Sequence, residues 1–191
     1  MNSRKSSTQT LVLGAVLTAL VVVLQLMGSF IKLGPFSISL VLIPIVIGAA
    51  TCGTKISTFL GFVFGVVVLL SGDASAFLAV SVPGTVLTVL CKGTLCGLIA
   101  GLVYHALAKR NRILAVALSA ILCPITNTGI FLLGCLLFFM ETIAGWAAEA
   151  GFGADAGKYM IFVLVGANFL VELATNVLLS PIVVRLLKIK N

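Results

Sequence analysis

Asn168, Glu172 and Asn176 lie four and four apart inside an apolar run covering residues 160–184. On an α-helix that spacing stacks all three side chains on one face. A carboxyl group within a membrane-spanning helix is unfavourable by roughly 2.5–3.5 kcal/mol on insertion scales, so its default reading is a functional group facing protein or a water-filled cavity. Lys92 sits in a second apolar run; Asn127, flanked by Thr126 and Thr128, sits in a third; Gln25 lies near the end of a fourth. A buried ammonium suits an anion such as a carboxylate, while carboxamides and hydroxyls suit amides and hydroxyls. The set reads as a binding constellation. The plainer alternative is that Lys92 and Glu172 neutralise each other as a buried ion pair, with the asparagines bridging helices.

The elements that must hold these groups are membrane helices. Hydrophobic residues make up 61% of the 191 residues and charged residues 9%, against about 25% charged in an ordinary soluble domain. About 20 apolar residues make one span. The hydropathy pattern divides the chain into six helices, over residues 8–28, 36–52, 57–70, 85–108, 113–140 and 158–187. Gly34-Pro35 marks a turn in an outer loop at 29–35; a second outer loop contains Gly72, Asp73 and Pro83, with a short surface helix over 74–82; a third covers 141–157. Pro44, Pro124 and Pro181 fall inside helices as potential kinks. The fold class is therefore an all-α integral membrane protein of the cell membrane, one domain over 1–191, with six transmembrane helices in one bundle.

Charge distribution orients the bundle. Of the twelve Lys and Arg, nine fall at one face (Arg4, Lys5, Lys55, Lys109, Arg110, Arg112, Arg185, Lys188, Lys190), while Lys32 and Lys158 fall at the other. Asp73, Glu141, Glu149 and Asp155 share the face with few bases. By the positive-inside bias both termini are cytoplasmic. The net charge of +7 then reads as a basic rim facing anionic lipid, and no nucleic-acid partner is implied. Cys52, Cys91, Cys96, Cys123 and Cys135 form no CxxC pair and lie in apolar segments as small hydrophobes; with one His no metal site or other cofactor is implied. Arg4 and Lys5 precede an apolar stretch without a small-x-small cleavage site, which reads as an uncleaved first helix.

At a rise of about 1.5 Å per residue, Lys92, Asn168 and Asn127 lie roughly 10, 15 and 20 Å below the outer surface, with Glu172 and Asn176 one and two turns deeper than Asn168. The polar groups thus converge on the fourth, fifth and sixth helices between the outer surface and the midplane, a pocket open to the outside; Asn176 is deepest and fits least well. Small residues recur at four-residue spacing at Ala15/Ala19, Gly61/Gly65 and Gly93/Gly97/Gly101. Such faces let helices approach closely, within the chain or against another subunit.

The stretch Ala15-Val-Leu-Thr-Ala19, and Gly34-Pro-Phe-Ser-Ile-Ser-Leu with Ile43-Pro44 ahead of a glycine-containing third helix, resemble the substrate-binding S component of an energy-coupling factor (ECF) vitamin transporter along the whole chain. The resemblance implies six helices and a vitamin held by the fourth to sixth and capped by outer loops. It also implies Ala15 and Ala19 docked on a transmembrane coupling subunit, and rotation in the membrane driven by two ATPase subunits. The chain carries no Walker A sequence, so energy comes from partners. Neither a Gly-x-Ser nor a helix bearing several aspartates is present, and His105 lies at the inner end of its helix, which argues against an intramembrane enzyme. A self-contained ion-coupled carrier or channel is the rival reading. With Trp146 and Tyr159 in or beside an outer loop and most Phe on apolar faces, few aromatics are expected at pocket depth. A flexible, anionic, hydroxylated vitamin such as pantothenate then fits Lys92, Asn127, Asn168, Glu172, Asn176 and Gln25 better than riboflavin or a pyrimidine precursor.

Overall fold

The computed structural model describes residues 7–29, 32–33, 36–37, 40–153 and 155–189. Gly34-Pro35, Arg4, Lys5 and Lys190 lie outside the described residues. The chain is almost entirely helical. α1 is Ser7–Gly28; a minimal antiparallel hairpin pairs β1 (Lys32–Leu33) with β2 (Phe36–Ser37), Lys32 opposite Ser37. α2 (Leu42–Cys52) and α3 (Thr54–Leu70) follow, then the one-turn α4 (Ser75–Leu78), α5 (Val82–Leu107), α6 (Arg112–Phe138) and α7 (Met140–Glu149). The last span is compound: α8 (Ala156–Tyr159), a π-helical segment (Met160–Gly166) and α9 (Ala167–Ile189). Among the described residues, four helices are long and apolar enough to cross a membrane: Thr8–Gly28, Val82–Leu107, Arg112–Phe138 and Ala156–Arg185. α2 and α3, at 11 and 17 residues, are shorter apolar helices.

Several boundaries differ from the sequence expectation, each for a local reason. The helix expected over 36–52 begins only at Leu42, after the hairpin. Pro44 therefore sits in the first turn, where its missing N–H removes no bond. Pro83, expected in a loop, occupies the first turn of α5 for the same reason, and the Ser81 hydroxyl caps that turn by accepting from the Gly84 N–H at 3.3 Å. Asn111 caps α6, its Oδ1 accepting from Ile113 and Leu114. Part of the long outer loop expected at 141–157 is the helix α7; Ile143 and Ala147, four apart, give it one buried apolar face. The single helix expected over 158–187 is interrupted by its π segment. Gly53, at φ 93° and ψ 176°, lets the chain turn from α2 directly into α3.

The small-residue faces of α3 and α5 pack against each other. A Cβ on Gly61 would meet the Gly93 carbonyl, one on Gly97 the Ser57 carbonyl, and one on Gly65 the Val89 carbonyl at 2.9 Å. The Ser57 hydroxyl secures the contact by donating to the Gly97 carbonyl at 2.9 Å, and Ser119 Oγ ties α6 to α5 by donating to the Ala100 carbonyl at 3.0 Å. The glycine spacing therefore serves packing within the chain. Two apolar clusters result. The larger joins α1, α2, α3, α5 and α6 around Leu42, Ile45, Leu60 and Phe64. The smaller gathers Phe77, Phe139, Ile143, Tyr159 and Leu164 beneath the loops.

Candidate functional site

Between the two clusters lies a cavity, part of it continuous with solvent. Val68 and Val89 of the larger cluster and Phe77, Phe139 and Leu164 of the smaller both line it. The end of α1, the start of α5, the end of α6 and the start of the last span all contribute residues. The cavity consequently sits at one end of the bundle. The exposed bases Lys55, Lys109, Arg110, Arg112 and Arg185 lie at or beside the opposite helix ends.

Helical spacing supplies most of the polar wall. On α5, Thr85, Thr88 and Lys92 fall at i, i+3 and i+7, one face. Asn127 and Thr128 come from α6, and Asn168 and Glu172 from α9. Gln25 reaches in from α1, and Asp73 from the loop after α3. Lys92 is only partly buried, and its Nζ stands 5.5 Å from the Phe64 ring centroid and 5.6 Å from that of Phe131, within cation–π range. Gln25 Nε2 donates to Asp73 Oδ2 at 2.6 Å, and Asn127 Nδ2 to Glu172 Oε2 at 3.5 Å. Among the described residues, three buried polar atoms of this wall have no hydrogen-bond partner: Gln25 Oε1, Thr88 Oγ1 and Asn127 Oδ1. Leaving such a group unsatisfied costs about 1–3 kcal/mol, which a ligand carrying complementary groups would offset.

Of the six residues singled out in the sequence, Lys92, Asn127, Asn168, Glu172 and Gln25 share this wall. Asn176 does not line it; buried a turn below Glu172, it donates through Nδ2 to the Glu172 backbone carbonyl at 2.8 Å. Ala15 and Ala19 lie on the exposed face of α1, among Leu11, Val12, Val16 and Val23.

The expectation of few aromatics at pocket depth is overturned. Phe77, Phe131, Phe139 and Phe169 all line the cavity. Phe131 follows Asn127 by one turn and Phe169 adjoins Asn168, a helical neighbourhood that could have signalled both. Phe77 arrives from α4 and packs edge-on to Phe131, Phe139 and Trp146 at 5.7, 4.9 and 5.4 Å between centroids. Thr85, Thr88 and Asp73 were also missed; the threonines share the α5 face of Lys92, whereas no local pattern marks Asp73. At the start of α8, Lys158 Nζ pairs with Asp155 Oδ2 at 3.0 Å. The Lys158 backbone N–H and ammonium hold the Asp155 carboxyl below its ordinary value.

Residues 9–184 match the family described as ECF transporter, substrate-specific component. The chain matches no curated protein and no solved structure.

Proposed function

The chain belongs to the family of ECF transporter substrate-specific components, and from that premise we propose that it captures pantothenate from outside the cell for ATP-driven uptake by partner subunits. Members of this family are subunits of a transporter that associate with a membrane coupling component and ATPases and bind small substrates, and the apolar helices fit a multi-pass membrane protein. In this reading both termini face the cytoplasm and the cavity faces out. The basic residues at the helix ends opposite the cavity support that orientation through the positive-inside bias.

The observation that carries the ligand reading is an ammonium, Lys92, the one cationic side chain among the described residues lining a cavity whose wall otherwise holds carboxamides, threonines, apolar side chains and two carboxylates, Asp73 and Glu172, each hydrogen-bonded to a carboxamide. A carboxylate placed at Lys92 gains a charge-assisted contact, and hydroxyls and an amide have partners along the remaining wall. Ala15 and Ala19 dock on the coupling component, since α1 adds only Gln25 to the cavity and turns an apolar face outward. Isothermal titration of the detergent-solubilised protein with pantothenate and with panthenol, its uncharged alcohol, tests the ligand. Binding of pantothenate well above panthenol is the expected result, and absence of heat with either removes pantothenate.

The four phenylalanines of the wall favour a second reading, a planar ring such as riboflavin or a pyrimidine precursor, because flat rings stack on aromatic faces. A thermal-shift screen in which such a ring stabilises the protein and pantothenate does not would select it. Uptake into liposomes by the chain alone, without ATP or partners, would instead reveal a self-contained carrier.

A further inference from the structure

Two carboxamides of the cavity wall are each held by a carboxylate. Gln25 of α1 donates through Nε2 to Asp73 of the loop after α3, and Asn127 of α6 donates through Nδ2 to Glu172 of α9. An ionised carboxylate only accepts hydrogen bonds, so each pair dictates which end of the amide faces it. The NH2 group turns to the carboxylate, and the carbonyl oxygen is left on the other side. Those oxygens, Gln25 Oε1 and Asn127 Oδ1, lack a partner among the described residues. Gln25 is 1% exposed and Asn127 5%, both oxygens are buried, and both residues line the cavity.

Resting on the ligand reading above, we propose that Asp73 and Glu172 are positioning residues. Each holds a neighbouring carboxamide so that its carbonyl oxygen is presented to the ligand. The wall then offers one cationic donor, Lys92, and two fixed amide acceptors, Gln25 Oε1 and Asn127 Oδ1, beside the carboxylates of Asp73 and Glu172. The ligand class follows: an anionic group at one end, and at least two O–H or N–H donors spaced along the remainder. Pantothenate, with one carboxylate, two hydroxyls and an amide N–H, belongs to that class. A planar ring devoid of N–H and O–H donors does not.

The test is a double-mutant cycle on the full chain in detergent, read by isothermal titration with pantothenate. Gln25→Leu and Asp73→Asn should each weaken binding by about tenfold, the scale of one net hydrogen bond in a shielded site. Because Asp73 acts through Gln25, the double variant should bind no more weakly than Gln25→Leu alone. Additive losses would overturn the proposal by showing that Asp73 acts independently of the amide. Asn127→Leu and Glu172→Gln form a parallel cycle with the same expectation. A measurement without ligand separates this proposal from the pantothenate reading. The chain contains two glutamines, Gln9 and Gln25, so glutamine-selective 15N labelling yields two side-chain NH2 signals. In the ligand-free protein one should exchange slowly with solvent and become fast in Asp73→Ala. Fast exchange of both in the unsubstituted protein overturns the amide geometry whatever the ligand proves to be, whereas a protected signal without pantothenate binding overturns the ligand alone.

Discussion

Lys92→Met removes an ammonium while keeping an unbranched side chain against the Phe64 and Phe131 rings, which the Lys92 Nζ approaches to 5.5 and 5.6 Å. The substitution therefore isolates charge from packing. A hydrogen bond to a charged group contributes about 1.5–3 kcal/mol net. The upper end applies here, because Asp73 and Glu172 in the same wall oppose an incoming carboxylate once the ammonium is gone. About 3 kcal/mol corresponds to a loss of roughly 150-fold in pantothenate affinity. Panthenol lacks the carboxylate, so its affinity should change by less than about threefold on the same scale. The assay is titration of both ligands against both proteins, with circular dichroism confirming that helix content is retained. In the unsubstituted protein pantothenate should lead panthenol by about two orders of magnitude, and in the variant the two should converge. Equal loss for both ligands would refute the anchor and make Lys92 a structural cation held by aromatic rings. Equal affinity of the unsubstituted protein for both would refute the carboxylate itself.

Replacing Ala15 and Ala19 together with Trp places two indoles on the exposed face of α1; ATP-driven uptake with partner subunits should be lost while ligand affinity stays within about twofold, and a loss of affinity would put that face in the chain's own packing. Gly97→Ala drives a methyl into the Ser57 carbonyl, forcing α3 and α5 apart; overpacking of this kind costs about 1–3 kcal/mol, read as a lowered melting temperature in detergent, and an unchanged midpoint would refute the close approach. Gly134→Ala would press on the Thr88 side chain, which is stiff at χ1 and lines the cavity. Pantothenate affinity should fall about tenfold with a smaller change in melting temperature than Gly97→Ala produces, and the reverse order would separate Thr88 from the site.

Sequence alone determined the class of molecule and the depth of its polar groups. Periodicity and the scarcity of charge made the chain a helical membrane protein, because hydrocarbon leaves no other economical way to satisfy backbone groups in long apolar segments. Lys92, Asn127, Asn168 and Glu172 stood out because polar groups at that depth are unfavourable unless they face one another, water or a ligand, and counting along each helix placed them at similar levels. Quantities that depend on contacts between distant segments were not legible. A hairpin strand at Phe36–Ser37 took the start of the helix expected over 36–52, since an apolar run does not by itself distinguish strand from helix over a few residues. α7 formed from a Gly- and Ala-rich stretch because Ile143 and Ala147 found a cluster to cover. Phe77 and Asp73 reach the cavity from the connection between α3 and α5, and their roles follow from partners 48 or more residues away, Gln25 for Asp73 and Phe131 and Trp146 for Phe77. Asn176 shared the helical face of Glu172 and was still excluded from the wall, because helix spacing fixes a side chain's face but the neighbouring helices decide where the cavity ends. Composition placed the polar groups within the apolar segments, and tertiary packing alone decided which of them line the cavity and which carbonyl oxygens lack a partner among the described residues.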